Sequence, residues 1–122
     1  MDFQVSLAES QDYILIKVFK PMTTEISQRF APEAIRLAEE HGIKKYLFDV
    51  RQAPNVQSVS KNYMFAHREL PEIKFPRASI SAFLISENDK SHEFIELAFK
   101  NAGYLVKSFT EEQAALAWLK KF

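Results

Sequence analysis

The sequence of 122 residues contains only two glycines, and both stand between a helical pattern and an apolar strand pattern. Gly42 follows the first helical pattern and precedes a strand, and Gly103 repeats this arrangement later in the chain. Glycine readily adopts the left-handed conformation that ends a helix, so each is predicted to stop a helix just before a strand. No glycine then remains for a phosphate-binding loop, which excludes the dinucleotide-binding and P-loop folds.

Apolar patterns predict five strands. Phe3–Ala8 alternates apolar and polar residues, and Tyr13–Phe19 follows after a short polar turn, which indicates an antiparallel hairpin. Three more strands, Tyr46–Val50, Ser79–Ile85 and Tyr104–Phe109, each follow a helical pattern. The order β-β-α-β-α-β-α-β-α predicts an α/β fold whose mixed, mostly parallel sheet has an antiparallel N-terminal strand.

The first helix has two alternative starting points. Thr23 or Thr24 can cap it, and apolar residues then recur at helical spacing as far as Gly42. Pro32 interrupts this pattern, so it should either kink the helix or mark the first turn of a helix that begins at Ala31.

The second helix is predicted to begin at Ser58 or Ser60, either of which can cap it. One stripe of this helix contains Tyr63, Ala66, His67 and Leu70. Phe65 and Met64 lie off that stripe, so both are expected to be exposed, and exposed large apolar groups often mark an interface or a ligand groove.

The last two helices have polar start signals. Asn88, Asp89 or Ser91 is expected to open the third helix. The fourth should begin with a capping box, in which Thr110 accepts a hydrogen bond from the backbone of Gln113 and the Gln113 side chain reaches back.

The composition is that of one globular domain spanning residues 1–122, with 47% hydrophobic and 26% charged residues. The 11 phenylalanines have no polar group, so most should lie in the core. Cysteine is absent, which excludes disulfides, thiolate metal sites and a thiol nucleophile. The histidines lack the spacing of a helical zinc pair, so we predict neither a metal site nor a cofactor.

Charge narrows the classes of partner. Lys and Arg together number 16, as do Asp and Glu, and this balance argues against a nucleic-acid binder or a polybasic membrane anchor. The zero net charge leaves little electrostatic repulsion between copies of the chain, so a homodimer is one of the possible partners. The N-terminal residues lack a signal-peptide pattern and no apolar run could span a membrane, so a cytoplasmic location is expected.

Three stretches, together with the order of elements, resemble the SpoIIAA-like proteins. They are EEHGIKKYLFDV, FPRASISAFLI and the C-terminal segment from Ala102 to Leu119. The resemblance implies the STAS-type fold of anti-sigma-factor antagonists and of their relatives of unknown role. It also implies a regulatory, non-catalytic activity.

The chain departs from the phosphorylatable antagonists at one position. Those proteins have a phosphorylatable serine in an Asp-Ser-Ser-Gly-type loop after the third strand. The corresponding region here, residues 49–60, is longer and has no glycine, and Ser58 and Ser60 are only rough counterparts. The resemblance is therefore to the branch of unknown function. The fold also resembles the CRAL-TRIO type of lipid-transfer domain. This second resemblance implies an apolar ligand as an alternative to a protein partner.

Four candidate residues lie near the third strand and the second helix. Asp49 ends the strand, where it could face a ligand or simply accept loop N–H groups. Ser58 and Ser60 could accept a phosphate or act as a helix cap and a solvated residue. His67 could act as an acid, base or ligand contact, or be an ordinary half-buried histidine.

Three functions follow as hypotheses. The first is a protein-interaction module that uses the loop and helix from Arg51 to Leu70, including Tyr63 and Phe65. The second is a binder of a small apolar or amphipathic, lipid-like ligand between that helix and the sheet. The third is an enzyme, which requires Asp49 and His67 to lie within mutual reach beside a pocket.

Overall fold

The computed structural model describes residues 1–122 and contains one five-stranded sheet. Its strands are β1 (Phe3–Leu7), β2 (Ile14–Val18), β3 (Lys45–Asp49), β4 (Ile80–Leu84) and β5 (Leu105–Phe109). The strands lie side by side in chain order, with β1 antiparallel to β2 and the other neighbours parallel. The predicted α/β class and mixed sheet are therefore confirmed.

Five helices surround the sheet, and two of them are joined by a π-helical turn. They are α1 (Thr24–His41), α2 (Val59–Met64), α3 (Leu70–Glu72), α4 (Glu93–Asn101) and α5 (Glu112–Leu119). The π-helical turn, Phe65–Glu69, connects α2 directly to α3. We call these three pieces together, residues 59–72, the middle helix. None of the helices is long and apolar enough to cross a membrane.

The sheet has two differently covered faces. On β2, Ile14, Ile16 and Val18 alternate toward the face that packs against α1, the middle helix and α4, and this three-helix face contains a cluster of 24 buried apolar residues. Leu47 and Leu84 point to the opposite face, where α5 closes a cluster of only six. We call this second side the α5 face.

Both glycines end helices as predicted. Gly42 follows α1 with a φ of 64°, and its N–H bonds to the carbonyls of Ala38 and Glu39. Gly103 follows α4 with a φ of 94°. An L side chain would be strained at either position, which explains why the two glycines of the chain occur here.

Helix α1 begins at its upstream cap and continues through Pro32. The Thr23 side chain accepts a hydrogen bond from the Ile26 N–H at 3.2 Å, which starts the helix well before Ala31. The alternative of a helix starting at Ala31 is therefore wrong. Pro32 removes one intrahelical donor, but burial of Ile26, Phe30 and other residues on the sheet holds the helix together around it.

The predicted starts of the last two helices are also wrong. Glu111 is extended (φ −121°, ψ 131°) and precedes α5 without a side-chain cap, so Thr110 and Gln113 form no capping box. The Phe109 carbonyl accepts the Ile85 N–H, which keeps the chain extended at the sheet edge. Helix α4 begins only at Glu93, because the Asp89 side chain accepts the Ser91 N–H and forms a turn first.

The π-helical turn changes which residues of the middle helix face the core. The Leu70 N–H bonds to the Phe65 carbonyl, five residues earlier rather than four. The extra residue shifts the buried stripe, so that Phe65 is 6% exposed whereas Tyr63 is 52% exposed. The predicted exposure of Phe65 and the predicted position of Tyr63 on the inner stripe are therefore wrong, whereas Met64 is exposed as predicted.

Candidate functional site

The candidate site lies at the carboxyl ends of β3 and β4. There the loop of residues 51–57, the loop of residues 85–92 and the first turns of α1 and α2 meet. Ligands of open α/β sheets bind at this edge, because the connections after parallel strands converge there.

Gln57 connects the loop to the start of α1. Its side-chain Oε1 accepts hydrogen bonds from the Thr24 backbone N–H at 2.6 Å and from the Thr24 hydroxyl at 2.8 Å. The Gln57 N–H donates to the Asn55 Oδ1 at 3.0 Å, which folds the loop back on itself. The loop backbone adds two bonds to Met22, just before α1.

Asn62 connects the same loop to the middle helix. Its side chain is 2% exposed, and its Oδ1 accepts hydrogen bonds from Asn55 Nδ2 at 2.9 Å and from Gln57 Nε2 at 3.5 Å. The Asn55 N–H donates to Ser91 Oγ in the loop before α4 at 2.9 Å. We call Asn55, Gln57 and Asn62 the amide network. Because it joins four segments through paired, partly buried groups, it holds this edge in one geometry.

A small apolar cavity lies beneath the amide network, between the three helices and the sheet. Its volume is about 50 Å³, and its lining is mostly apolar. The lining includes the rings of Phe30, Phe48, Phe65, Phe75, Phe83 and Phe99. A cavity that binds benzene measures about 150 Å³, so this cavity is too small for an aromatic ring or an alkyl chain.

His92 is a buried titratable group beside the cavity. It is 3% exposed and lines the cavity wall just before α4. Burial lowers the pKa of His92, and the Asp89 carboxylate, 3.6 Å from its Nε2, and the Ala53 backbone only partly oppose this shift. His92 is therefore neutral near pH 7.

Asp49 and Arg51 form a pair on the α5 face. Arg51 Nε and Nη2 donate to the two Asp49 carboxylate oxygens at 2.9 and 2.8 Å, and the Arg51 N–H also bonds to Asp49 Oδ1. Burial raises the pKa of Asp49, but these hydrogen bonds and the charges of Arg51 and Lys17 outweigh it and lower the pKa overall. The arrangement matches the structural interpretation, in which Asp49 orders the start of the loop.

Ser58 and Ser60 lie together in the exposed first turn of α2. Ser58 Oγ accepts the Lys61 N–H at 3.2 Å, so Ser58 is the helix cap. The two hydroxyls are 3.3 Å apart, and both side chains are exposed.

Tyr63 and His67 stack on the outer side of the middle helix, with ring centroids 4.1 Å apart. His67 is half-buried, and its Nε2 has no hydrogen-bond partner. Asp49 points to the α5 face, whereas the middle helix packs on the three-helix face, so the sheet separates Asp49 from His67. The geometry that the enzyme hypothesis requires is absent. No three His, Asp or Glu side chains converge as metal ligands would.

Four functional candidates were missed by the sequence analysis: Asn55, Gln57, Asn62 and His92. A signal existed in the amide side chains of Asn55 and Gln57, which follow closely after a buried strand. Asn62 carried no such signal, because only the packed helix shows that this amide points inward. His92 follows the expected starts of the third helix at Asn88, Asp89 or Ser91, so it was expected within that helix, but it lies just before α4, where its side chain is buried.

Large apolar side chains remain exposed on the two helices beside this site. One side of α2 faces the start of α1, because Lys61 and Met64 line a groove there. Val59 and Tyr63, which are four residues apart, share the other side of α2, and this side faces α4. On α4, the Glu96 carboxylate accepts a hydrogen bond from the Ser108 hydroxyl of β5. Phe94 and Leu97 lie on the side of α4 that points away from β5. These four residues are between 52% and 55% exposed. We call Val59, Tyr63, Phe94 and Leu97 the apolar surface.

Comparisons with known proteins agree with this architecture. No protein-family model and no curated protein sequence matches the chain. Among solved structures, the unphosphorylated anti-sigma factor antagonist SpoIIAA is similar, with a TM-score of 0.60 and 12% identity over 98% of this chain and 97% of that one. An uncharacterized DUF3478-family protein with a SpoIIAA-like fold, from Shewanella loihica PV-4, has a TM-score of 0.56 and 16% identity over 96% of this chain and 91% of that one. The predicted resemblance is thus confirmed at the level of architecture: this chain has a SpoIIAA-like fold.

Proposed function

We propose that this chain is a non-catalytic regulatory module whose protein partner binds the apolar surface. The observation that carries the proposal is the exposure of more than half of each of Val59, Tyr63, Phe94 and Leu97 on two adjacent helices. Groups of exposed apolar side chains on a soluble domain mark interaction sites, and aromatic residues such as Tyr63 and Phe94 commonly anchor them.

The amide network supports this proposal because its hydrogen bonds hold α2 in one position relative to the preceding loop. A binding surface that is already ordered loses less conformational entropy when a partner binds. Asn62 lies one residue before Tyr63 and is held by Asn55 and Gln57, so the helix that carries half of the apolar surface is anchored to the loop. The predicted interaction region, Arg51 to Leu70, is thereby extended to α4.

The similar architecture of SpoIIAA is a second line of support. That protein is an anti-sigma factor antagonist, so its activity is directed at another protein. With 12% identity the likeness indicates a scaffold compatible with such a role. The partner of this chain is expected to present a complementary apolar surface, for example one face of an amphipathic helix.

The test is an affinity purification with the full chain and two variants as baits. Tyr63→Ser combined with Phe94→Ser removes the two aromatic anchors, and Leu105→Ser is the matched control. Leu105 is also exposed, at 44%, but it lies on β5. We expect the wild-type chain and the Leu105→Ser variant to retain the same protein, and the double variant to lose it.

A defined complex then has to be reconstituted from the purified partner, with binding weakened by the double variant alone. Unchanged binding of every retained protein by the double variant would refute the assignment of the apolar surface. Thermal melts of the three baits exclude unfolding as the cause of lost binding, since all the substituted side chains are exposed.

The ligand-binding alternative requires a change of shape. A cavity between the middle helix and the sheet supports this alternative, because the ligand is expected there. Its volume of about 50 Å³ excludes a lipid-like ligand unless the middle helix moves outward. Native mass spectrometry followed by denaturing mass spectrometry of the same sample tests this alternative, because a non-covalent ligand would add mass only in the native spectrum.

Regulation of the interaction by serine phosphorylation is a separate proposal. Ser60 is the better acceptor, because its exposed hydroxyl is not used as the helix cap, unlike that of Ser58. A phosphate there would place negative charge three residues before Tyr63, in the groove between α1 and α2 that borders the apolar surface. Intact-mass analysis would show the phosphoryl group, and the Ser60→Ala variant should lack it.

A further inference from the structure

Strand β1 forms one edge of the sheet, and the backbone groups of three of its five residues are free. In its antiparallel pairing with β2, Ala8 donates to Tyr13 and Phe19 donates to the Asp2 carbonyl. The ladder alternates between bonded and non-bonded pairs, so Gln4 and Ser6 also bond to β2. The N–H and C=O groups of Phe3, Val5 and Leu7 therefore point away from the sheet.

Nothing in β1 blocks the approach of another strand. The sequence of β1, Phe-Gln-Val-Ser-Leu, contains no charge, proline or glycine. Native edge strands are usually protected by a lysine, a proline or a bulge. The opposite edge, β5, has such protection within the strand, because Lys107 lies at its centre. An ion pair flanks each edge, Arg29–Asp2 beside β1 and Glu96–Lys100 beside β5, so the two edges differ in the strand itself.

We propose that the partner of this edge is β1 of a second copy of the chain, paired antiparallel about a two-fold axis at Val5. In this register Val5 faces Val5 of the second copy, and Phe3 faces its Leu7. Each of the three facing pairs exchanges two backbone hydrogen bonds, because these are the residues whose groups point outward. The resulting sheet is continuous across both copies and has ten strands.

The side chains of β1 are compatible with this symmetric pairing. Phe3, Val5 and Leu7 are only half-buried, and all three lie on the three-helix face. Pairing places Phe3 of one copy beside Leu7 of the other at each end, with the two Val5 side chains between them. On the α5 face, Gln4 meets Ser6 of the second copy, so like charges never face each other.

This interface is distinct from the proposed partner surface. Helices α2 and α4 lie toward the β5 side of the sheet, since α4 packs on β5, whereas α1 packs on β1 and β2. A dimer through β1 would leave both apolar surfaces free and would present two of them to a partner. Because a five-residue strand buries little area, the dimer is expected to be weak and dependent on concentration.

The first experiment measures the oligomeric state of the full chain by sedimentation velocity, from micromolar to millimolar concentration. Val5→Pro removes a backbone N–H that points outward, so the pairing of β1 with β2 loses no hydrogen bond. Val5→Thr is the matched control, because it keeps the N–H and the branched side chain. We expect the wild-type chain and Val5→Thr to dimerise as concentration rises, and Val5→Pro to stay monomeric.

Amide hydrogen exchange followed by NMR tests the register even if Val5→Pro fails to fold. In the wild-type chain, protection at Phe3, Val5 and Leu7 should rise with concentration, whereas protection at Gln4 and Ser6 should stay constant. A wild-type monomer throughout, a dimeric and folded Val5→Pro variant, or constant exchange at Val5 would each overturn the proposal. The Tyr63→Ser, Phe94→Ser variant should dimerise normally, which separates this result from the proposed function.

Discussion

The two faces of the sheet differ in how completely they are packed. On the three-helix face a large aromatic core surrounds a cavity of about 50 Å³, with buried Asn62 and His92 among its walls. On the α5 face a small apolar cluster is closed by Ala115 and Leu119, which are 0% and 2% exposed. The charged Asp49 on that face is neutralised by Arg51.

This difference indicates that the two faces serve different purposes. A void, a neutral buried histidine and an amide network all reduce stability relative to a fully packed apolar interior. They occur together on the face that also carries the apolar surface. Under the proposed function the three-helix face combines stability with binding, whereas the α5 face only stabilises the fold, and the following predictions test how differently the two faces are packed.

The largest effect is expected from truncation on the α5 face. Leu119→Ala should lower the free energy of unfolding by about 3 kcal/mol, because it removes a buried side chain from a small cluster with few alternative contacts. Urea denaturation measures this change. Leu97→Ala, at an exposed position, is the control and should stay within about 0.5 kcal/mol of the wild-type value. A loss below about 1 kcal/mol for Leu119→Ala would show that the α5 face is not closely packed.

The second effect concerns the amide network. Asn62→Ala removes the acceptor of Asn55 and Gln57 and leaves their donors partly buried without a partner, which should reduce stability by about 2 kcal/mol. Asn88→Ala, in an exposed loop, is the matched control. Equal stability of the two variants in urea denaturation would mean that the network does not hold the loop.

The packing of the two faces explains how far sequence analysis could go. Alternation and helical spacing predicted the strands, the two helix-ending glycines and the α/β class, because these signals are local. The buried stripe of the middle helix was misassigned at Phe65, because a π-helical turn depends on tertiary packing and leaves no local signal. Asn62 and His92 were missed for the same reason, since their inward orientation exists only after the helices pack.

Local signals also failed where they conflicted with neighbouring structure. Thr110 and Gln113 have the spacing of a capping box, but pairing of the preceding strand keeps the chain extended as far as Glu111. Pro32 suggested a helix start, but the Thr23 cap and the buried side of α1 determine it instead. Asp49 and His67 could be judged only after the sheet was seen to separate them.

A matched pair of enlargements compares the two faces directly. Ala34, which is 1% exposed, lines the cavity, whereas Ala115 lies in the α5 cluster away from it. Both lie in helices, so replacement by valine has a similar effect on helix propensity. Ala115→Val should destabilise the chain by about 2 kcal/mol through overpacking, and Ala34→Val by less than about 1 kcal/mol. Equal losses in urea denaturation would contradict the packing difference.

The smallest effect is a pH dependence located on the three-helix face. Because burial lowers the pKa of His92 below its ordinary 6.5, the unfolded chain binds this proton more readily than the folded chain. The contribution to stability is complete above about pH 6.5 and is lost as the pH falls below that value toward the folded-state pKa. His92→Gln should reduce the difference in unfolding free energy between about pH 7.5 and about pH 5.5. His41→Gln, which replaces an exposed histidine away from the cavity, is the matched control. If both variants keep the wild-type difference, the acid sensitivity arises outside the cavity wall, and His92 does not distinguish the two faces.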